Sequence, residues 1–303
     1  MVIALVLLAA AGQLVWRDVR AQGGSTLPLS APSLRAAAYS WPSPGVPGSS
    51  SCQTGESFAE AAGRNAASLD AAPLAPFGRP ETGWDIYLPL IAREIGAECP
   101  PQSPGFAQAL ASFQGRHGLA ASGVMDATTL AALKAVWMSR RPFVAATAHG
   151  ACPAPPAPEL MAWADPAEGY AAKPIQLRVR ALDAYRNMVV AARGEDAAIA
   201  ADHRLLTIFS GFREPDADAA NCLAQGDCAE PARARCSAHR TGLAVDLYLG
   251  AAAGYRPEST ADPNRLYQSR SPAFRWMAAN ASRFGFVNYP FEPWHWEWTG
   301  EAP

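Results

Sequence analysis

The sequence predicts an α+β fold: a small antiparallel sheet with flanking helices, preceded by a small three-helix domain. Three observations predict it. Short runs rich in apolar and β-branched residues, "LLTIFSGF" (205–212) and "GLAVDLYLG" (242–250), read as strands. Segments such as "SPGFAQALASFQGRHGL" and "SPAFRWMAANASRFGF" place apolar residues at helical spacing. The two kinds do not alternate regularly, as a doubly wound parallel sheet would require.

The chain of 303 residues has room for roughly two domains of ordinary size. Its net charge of −2 gives no basic footprint, which argues against a nucleic-acid partner. Residues 1–21 open with an apolar run, Val2 to Gly12, that is short for a bilayer span and reads as a secretory signal. No Lys or Arg precedes it, so an uncleaved anchor stays open, and only then is a membrane a partner. Either reading expects an exported protein of the periplasm or cell envelope, with secretion as the further alternative if the signal is cleaved.

Residues 22–76, with "STLPLSAPS" and "WPSPGVPGSSS", lack a sustained apolar period and read as a flexible linker. A helical domain follows at 77–138. Ser103 is placed as an N-cap with Pro104 at the first helical position, and Phe106, Leu110 and Phe113 share a face. Asp126 repeats the cap ahead of Leu130, Leu133 and Trp137. Within 139–303, "LRVRALDAYRNMVVAAR" sets Val179, Leu182, Arg186 and Val189 at helical spacing. Ser271 and Pro272 start another helix with Phe274, Met277, Ala281 and Phe284 near one face.

Six cysteines form an even set without a C-x-x-C pair, which in an exported chain points to disulfides rather than a zinc ribbon. Cys222, Cys228 and Cys236 lie within one polar stretch, where a pair would pin the loop. No GxSxG elbow or Gly-rich phosphate loop appears.

The chemistry concentrates in "CSAHRTGLAVDLYLG" and "FEPWHWEW". Imidazole and carboxylate groups are good Zn²⁺ ligands, and a catalytic zinc takes three protein ligands and keeps one position open. His239, Asp246 and His295 form such a set. Glu292, three residues before His295, is placed to act as a general base, and the Trp residues to wall the site. Glu297 alternates with them and is expected to face solvent or to brace a ligand His.

Two resemblances rest on these residues. "FAQALASFQGRHGLAASGVMDATTLAAL" (106–133) resembles the peptidoglycan-binding repeat, which implies a cell-wall anchor, peptidoglycan as partner, and His117 as a turn residue. "SAHRTGLAVD" with "EPWHW" resembles the zinc D,D-carboxypeptidases of the VanY-like type, within the lysostaphin, D,D-peptidase and hedgehog fold group. That resemblance implies one zinc per chain on His239, Asp246 and His295, with Glu292 as base. It also implies roles for Arg213 of "SGFR", as an oxyanion or carboxylate cation, and for Ser237 and Trp294 as substrate contacts. The stretch between Arg213 and Ser237 departs from the family pattern and bears on specificity. The expected reaction is hydrolysis of D-Ala-containing stem peptides, with D-alanyl-D-alanine carboxypeptidase action leading. Endopeptidase action on D,D- or L,D-cross-links and a non-catalytic wall-binding protein are the alternatives.

Overall fold

The computed structural model describes residues 52, 53, 56–225 and 236–303. The expected signal or anchor at 1–21, the first part of the expected linker, and the side chains of Cys222 and Cys228 lie outside these residues. The fold is α+β. Its strands are β1 (Pro73–Leu74), β2 (Glu81–Thr82), β3 (Met161–Trp163), β4 (Gln176–Arg178), β5 (Ile208–Ser210), β6 (Ala244–Leu247), β7 (Phe286–Asn288) and β8 (His295–Trp298). They form two two-stranded ribbons, β1-β2 and β3-β4, and one four-stranded antiparallel sheet in the order β5-β6-β8-β7. No helix among the described residues is long and apolar enough to cross a membrane.

Three helices, Leu88–Ile95, Pro104–Arg116 and Ala127–Ser139, make up the N-terminal helical module. The Ser103 hydroxyl accepts from the Phe106 amide and the Asp126 carboxylate accepts from the Thr129 amide, so both caps satisfy donors that a helix start leaves open. Trp84, Phe106, Leu110, Phe113, Leu130 and Leu133 fill the centre. Gln114, buried among them, accepts from the Gly123 amide and donates to the Val124 carbonyl and the Thr129 hydroxyl. The loop between the second and third helices is thereby tied to the second.

The stretch read as linker does not end where composition suggests. Residues 56–74 form a 3₁₀ turn, Glu56–Phe58, a helix, Ala59–Ser68, and β1, which pairs with β2. Few large apolar residues lie there, so order comes from long-range polar contacts that local composition does not reveal. Asn65, fully buried, donates to the Gly123 carbonyl and accepts from the Met125 amide, both at 2.8 Å. A disulfide joins Cys52 to Cys99. Asn65→Ala leaves two buried backbone groups without partners and is expected to cost about 1–3 kcal/mol, measured by urea unfolding. A loss within a few tenths of a kcal/mol would show that water replaces the amide.

The module packs against the rest of the chain. Arg265, on helix Asp262–Ser269, is fully buried; it donates to the Tyr87 hydroxyl and the Phe291 carbonyl, each at 2.8 Å, and lies 3.1 Å from a Glu81 oxygen. Arg270 pairs with Asp85. Phe77 packs its ring against Tyr87, Tyr289 and Phe291.

Helix Val179–Glu195 forms as expected, but its inner face is Ala181, Leu182, Tyr185, Met188, Val189 and Ala192. Val179 opens the helix and is exposed, and Arg186 turns outward to a bidentate pair with Glu168. Helix Pro272–Asn280 is capped by Ser271 and sets Phe274 against Trp296 of β8. Alternation along β8 therefore divides its residues: the Trp side chains enter the core, and His295 and Glu297 face the other way.

Candidate active site

Strand register brings the first two candidate ligands together. Asp246 and His295 are directly paired across β6 and β8, and Ser210 of β5 pairs Asp246 from the other side. His239 comes from the 3₁₀ turn Ala238–Thr241 that leads into β6. Ser237 caps that turn by accepting from the His239 amide, and Gly242 ends it at a φ of +68°, a conformation L side chains rarely adopt.

The three side chains converge. His239 Nε2 lies 3.1 Å from Asp246 Oδ2, and His295 Nδ1 lies 2.9 Å from Asp246 Oδ1. One potential ligand atom from each residue falls within 4.8 Å of the others, and all three residues are buried. On its far side the His239 ring meets the Gly211 carbonyl at 2.7 Å through Nδ1. A carbonyl only accepts, so Nδ1 carries a proton, and Nε2 is the nitrogen turned toward Asp246. Gly211 itself packs too close to the strand beside it for a side chain: a Cβ there would sit 2.8 Å from the Gln176 carbonyl oxygen. On the far side of His295, Nε2 is buried without a hydrogen-bond partner and lies 3.4 Å from Glu297 Oε1.

Electrostatics follow from this crowding. Burial disfavours the Asp246 carboxylate, but the imidazoles of His239 and His295 outweigh it and hold its carboxyl well below the usual range. Burial likewise opposes a charged His295, yet Asp246 and Glu297 push its pKa up to about 9. Glu297 is held down to about 2, against burial, by His295, Arg141 and the Phe143 amide. The pocket is thus built to stabilise positive charge. Two imidazoles and one carboxylate at this mutual spacing, with each ring's other nitrogen turned to an oxygen, have the donor types and outer support of a divalent-metal centre.

Residues 174–301 match the family model described as D-alanyl-D-alanine carboxypeptidase, VanY. The chain carries a VanY domain. Residues 102–133, which coincide with the second and third module helices and their loop, match the model of a peptidoglycan-binding domain. No curated protein and no solved structure matches the chain. The VanY domain supports a D-Ala carboxypeptidase-type function on peptidoglycan, and the wall-binding match supports peptidoglycan as partner and an exported protein. The family is generally metal-dependent, and among the described residues His239, Asp246 and His295 form a group that could hold a metal ion.

The remaining expected residues take varied places. Glu292 is partly exposed in the turn before β8; its amide donates to the Tyr289 carbonyl and its carbonyl accepts from the His295 amide. Arg213 is partly exposed: its amide donates to the His239 carbonyl, and its guanidinium reaches Ser210 and Asp218. The Ser237 hydroxyl is engaged in the cap. Trp294, expected as a substrate contact, is 3% exposed and its carbonyl accepts from the Leu247 amide, so it supports the site from beneath. Glu297 is also buried, which settles between facing solvent and bracing His295 in favour of the brace. His117, at the end of helix Pro104–Arg116, stacks near Phe113, while His149 and His203 are exposed; none joins the metal-ligating group.

Three contributors escaped sequence reasoning. Asp218 is buried and accepts from the Ser237 amide at 2.7 Å while facing Arg213 and Arg240. Asn288 turns its amide to the carbonyls of Glu292, Pro293 and His295. A lone Asn in the apolar "FVNYPF" was the available signal. Arg141, bound to Glu297, is separated from it by 156 positions and left no local signal.

Proposed function

We propose that the protein is a zinc-dependent D-alanyl-D-alanine carboxypeptidase acting on peptidoglycan stem peptides. The observation that carries this reading is the convergence of His239, Asp246 and His295 on one buried point inside the VanY domain. Those three residues would hold the ion. When bound, zinc supplies Lewis-acid chemistry, polarising the scissile carbonyl and bringing the pKa of water to roughly 7.

The chain's own groups do the rest. Glu292 takes a proton from the attacking water and gives it to the departing D-Ala amine as the C–N bond breaks. Asn288 holds the carbonyls of Glu292 and Pro293, so the carboxylate is presented from a defined turn. Arg213, held by Asp218 and Ser210, offers a cation to the substrate's terminal carboxylate, which favours the carboxypeptidase over the endopeptidase form. The helical module keeps the enzyme on insoluble wall.

Muropeptides incubated with the zinc-loaded protein and analysed by mass spectrometry test the reading directly. Loss of one terminal D-Ala, abolished by a chelator and restored by zinc, is expected. Cleavage of cross-linked dimers alone would reassign the enzyme as an endopeptidase, and no product from any wall fragment would leave a binding protein.

A further inference from the structure

The buried Arg141–Glu297 pair is used by neither the ligand set nor the proton transfer, and Arg141 lies outside both matched spans. It sits just after helix Ala127–Ser139, the last helix of the wall-binding module, and just before the short helix Pro142–Ala146. Its side chain is 8% exposed and that of Glu297 2%. Arg141 Nε donates to Glu297 Oε1 at 2.7 Å, and Nη2 reaches the same oxygen at 2.5 Å. The other oxygen, Oε2, accepts from the Phe143 amide at 3.0 Å. Both oxygens are therefore held by the segment 141–143, leaving Oε1 3.4 Å from His295 Nε2.

Arg141 also grips the other end of the same hairpin. Its guanidinium lies 4.1 Å above the Tyr289 ring, and the Tyr289 amide donates to the His295 carbonyl at 3.0 Å. The Tyr289 ring stands edge-on to the His295 imidazole. One side chain from the end of the wall-binding module thus braces His295 through a carboxylate on one side and through an aromatic ring and backbone on the other.

We propose that Arg141 is a positioning residue: it fixes Glu297, and through it the ring of His295, so that docking of the wall-binding module sets the geometry of the metal centre. This rests on the reading of His295 as a metal ligand. A carboxylate behind a ligating imidazole fixes ring orientation and raises basicity, and its loss changes metal affinity or activity by about 10- to 100-fold. Arg suits the task because its planar fork is always charged and holds a fixed direction, whereas Lys is a rotatable point charge.

The test is zinc affinity of the full chain, by competition with a chromogenic chelator, with circular dichroism and thermal unfolding in parallel. Arg141→Ala is expected to weaken zinc binding by about 10- to 100-fold, and Arg141→Lys, which keeps the charge, to fall between it and the wild type. Because Arg141 acts through Glu297, adding Arg141→Ala to Glu297→Gln is expected to weaken affinity little beyond Glu297→Gln alone. A merely structural role predicts the opposite: lower stability, unchanged zinc affinity, and effects that add. Zinc affinity within twofold of wild type in folded Arg141→Lys and Arg141→Ala overturns the proposal. If Arg141→Ala does not fold, wild-type affinity in Arg141→Lys together with Glu297→Gln does so. Failure of the wild type itself to bind zinc would instead remove the ligand assignment, and the proposal with it.

Discussion

Glu292→Gln is expected to slow release of D-Ala by at least about a hundredfold while the protein keeps near-stoichiometric zinc. The substitution leaves His239, Asp246 and His295 intact and removes only the group that accepts and returns the proton, a contribution typically worth about 10²–10⁴ in rate. His295→Ala should differ in kind, since zinc content and activity fall together. Glu297 cannot serve as the silent control that its alternation with Trp suggests, because it is buried against His295. Glu159, exposed before β3, fills that role as Glu159→Gln. Metal content and turnover on the same samples decide the matter: a Glu292→Gln enzyme that retains more than about a tenth of wild-type turnover sinks the assignment of the base.

The largest stability effect is expected at Arg265. Its guanidinium is fully buried between the helical module and the VanY domain, facing Glu81, Tyr87 and Asp262 and the Phe291 carbonyl. Burial works against the charge, yet Tyr87 and Glu81 hold it protonated. Arg265→Ala strands the Glu81 carboxylate in the interior, and breaking a buried pair from one side costs about 3–5 kcal/mol. At roughly 2–4 °C per kcal/mol for a chain of this size, the unfolding midpoint should drop by about 6–20 °C. The double variant Arg265→Met with Glu81→Leu should recover most of the loss, since apolar replacement of both partners is often neutral. A single cooperative transition is expected in urea, because the network spans both regions. Two transitions, with only the VanY domain shifted, would show that the module folds apart from it.

Legibility in the sequence followed the range of the interactions. His239, Asp246 and His295 stood out because their spacing is set locally, by a capped turn into β6 and by the pleat of β8. Caps at Ser103 and Asp126 were equally readable, since donor and acceptor lie three residues apart. What was missed is held from far away. Asn65 reaches across 58 positions to Gly123, so a helix was read as linker. Cys236 pairs with Cys152, 84 positions away, a connectivity that sequence spacing does not reveal. Glu297 was left between solvent and a brace for His295 because nothing near it in sequence announces Arg141, 156 positions away.

The division of β8 into a Trp face and a His-Glu face also limits how this enzyme can vary. Successive residues point to opposite sides, so a slip of one position reverses every side chain. A single-residue insertion inside β8, between His295 and Trp296, would turn Glu297 into the hydrophobic interior and put an indole in its place behind His295. Length changes there are intolerable in steps of one. Diversification of substrate preference in the laboratory therefore has its freedom outside β8, at positions that no strand pleat fixes.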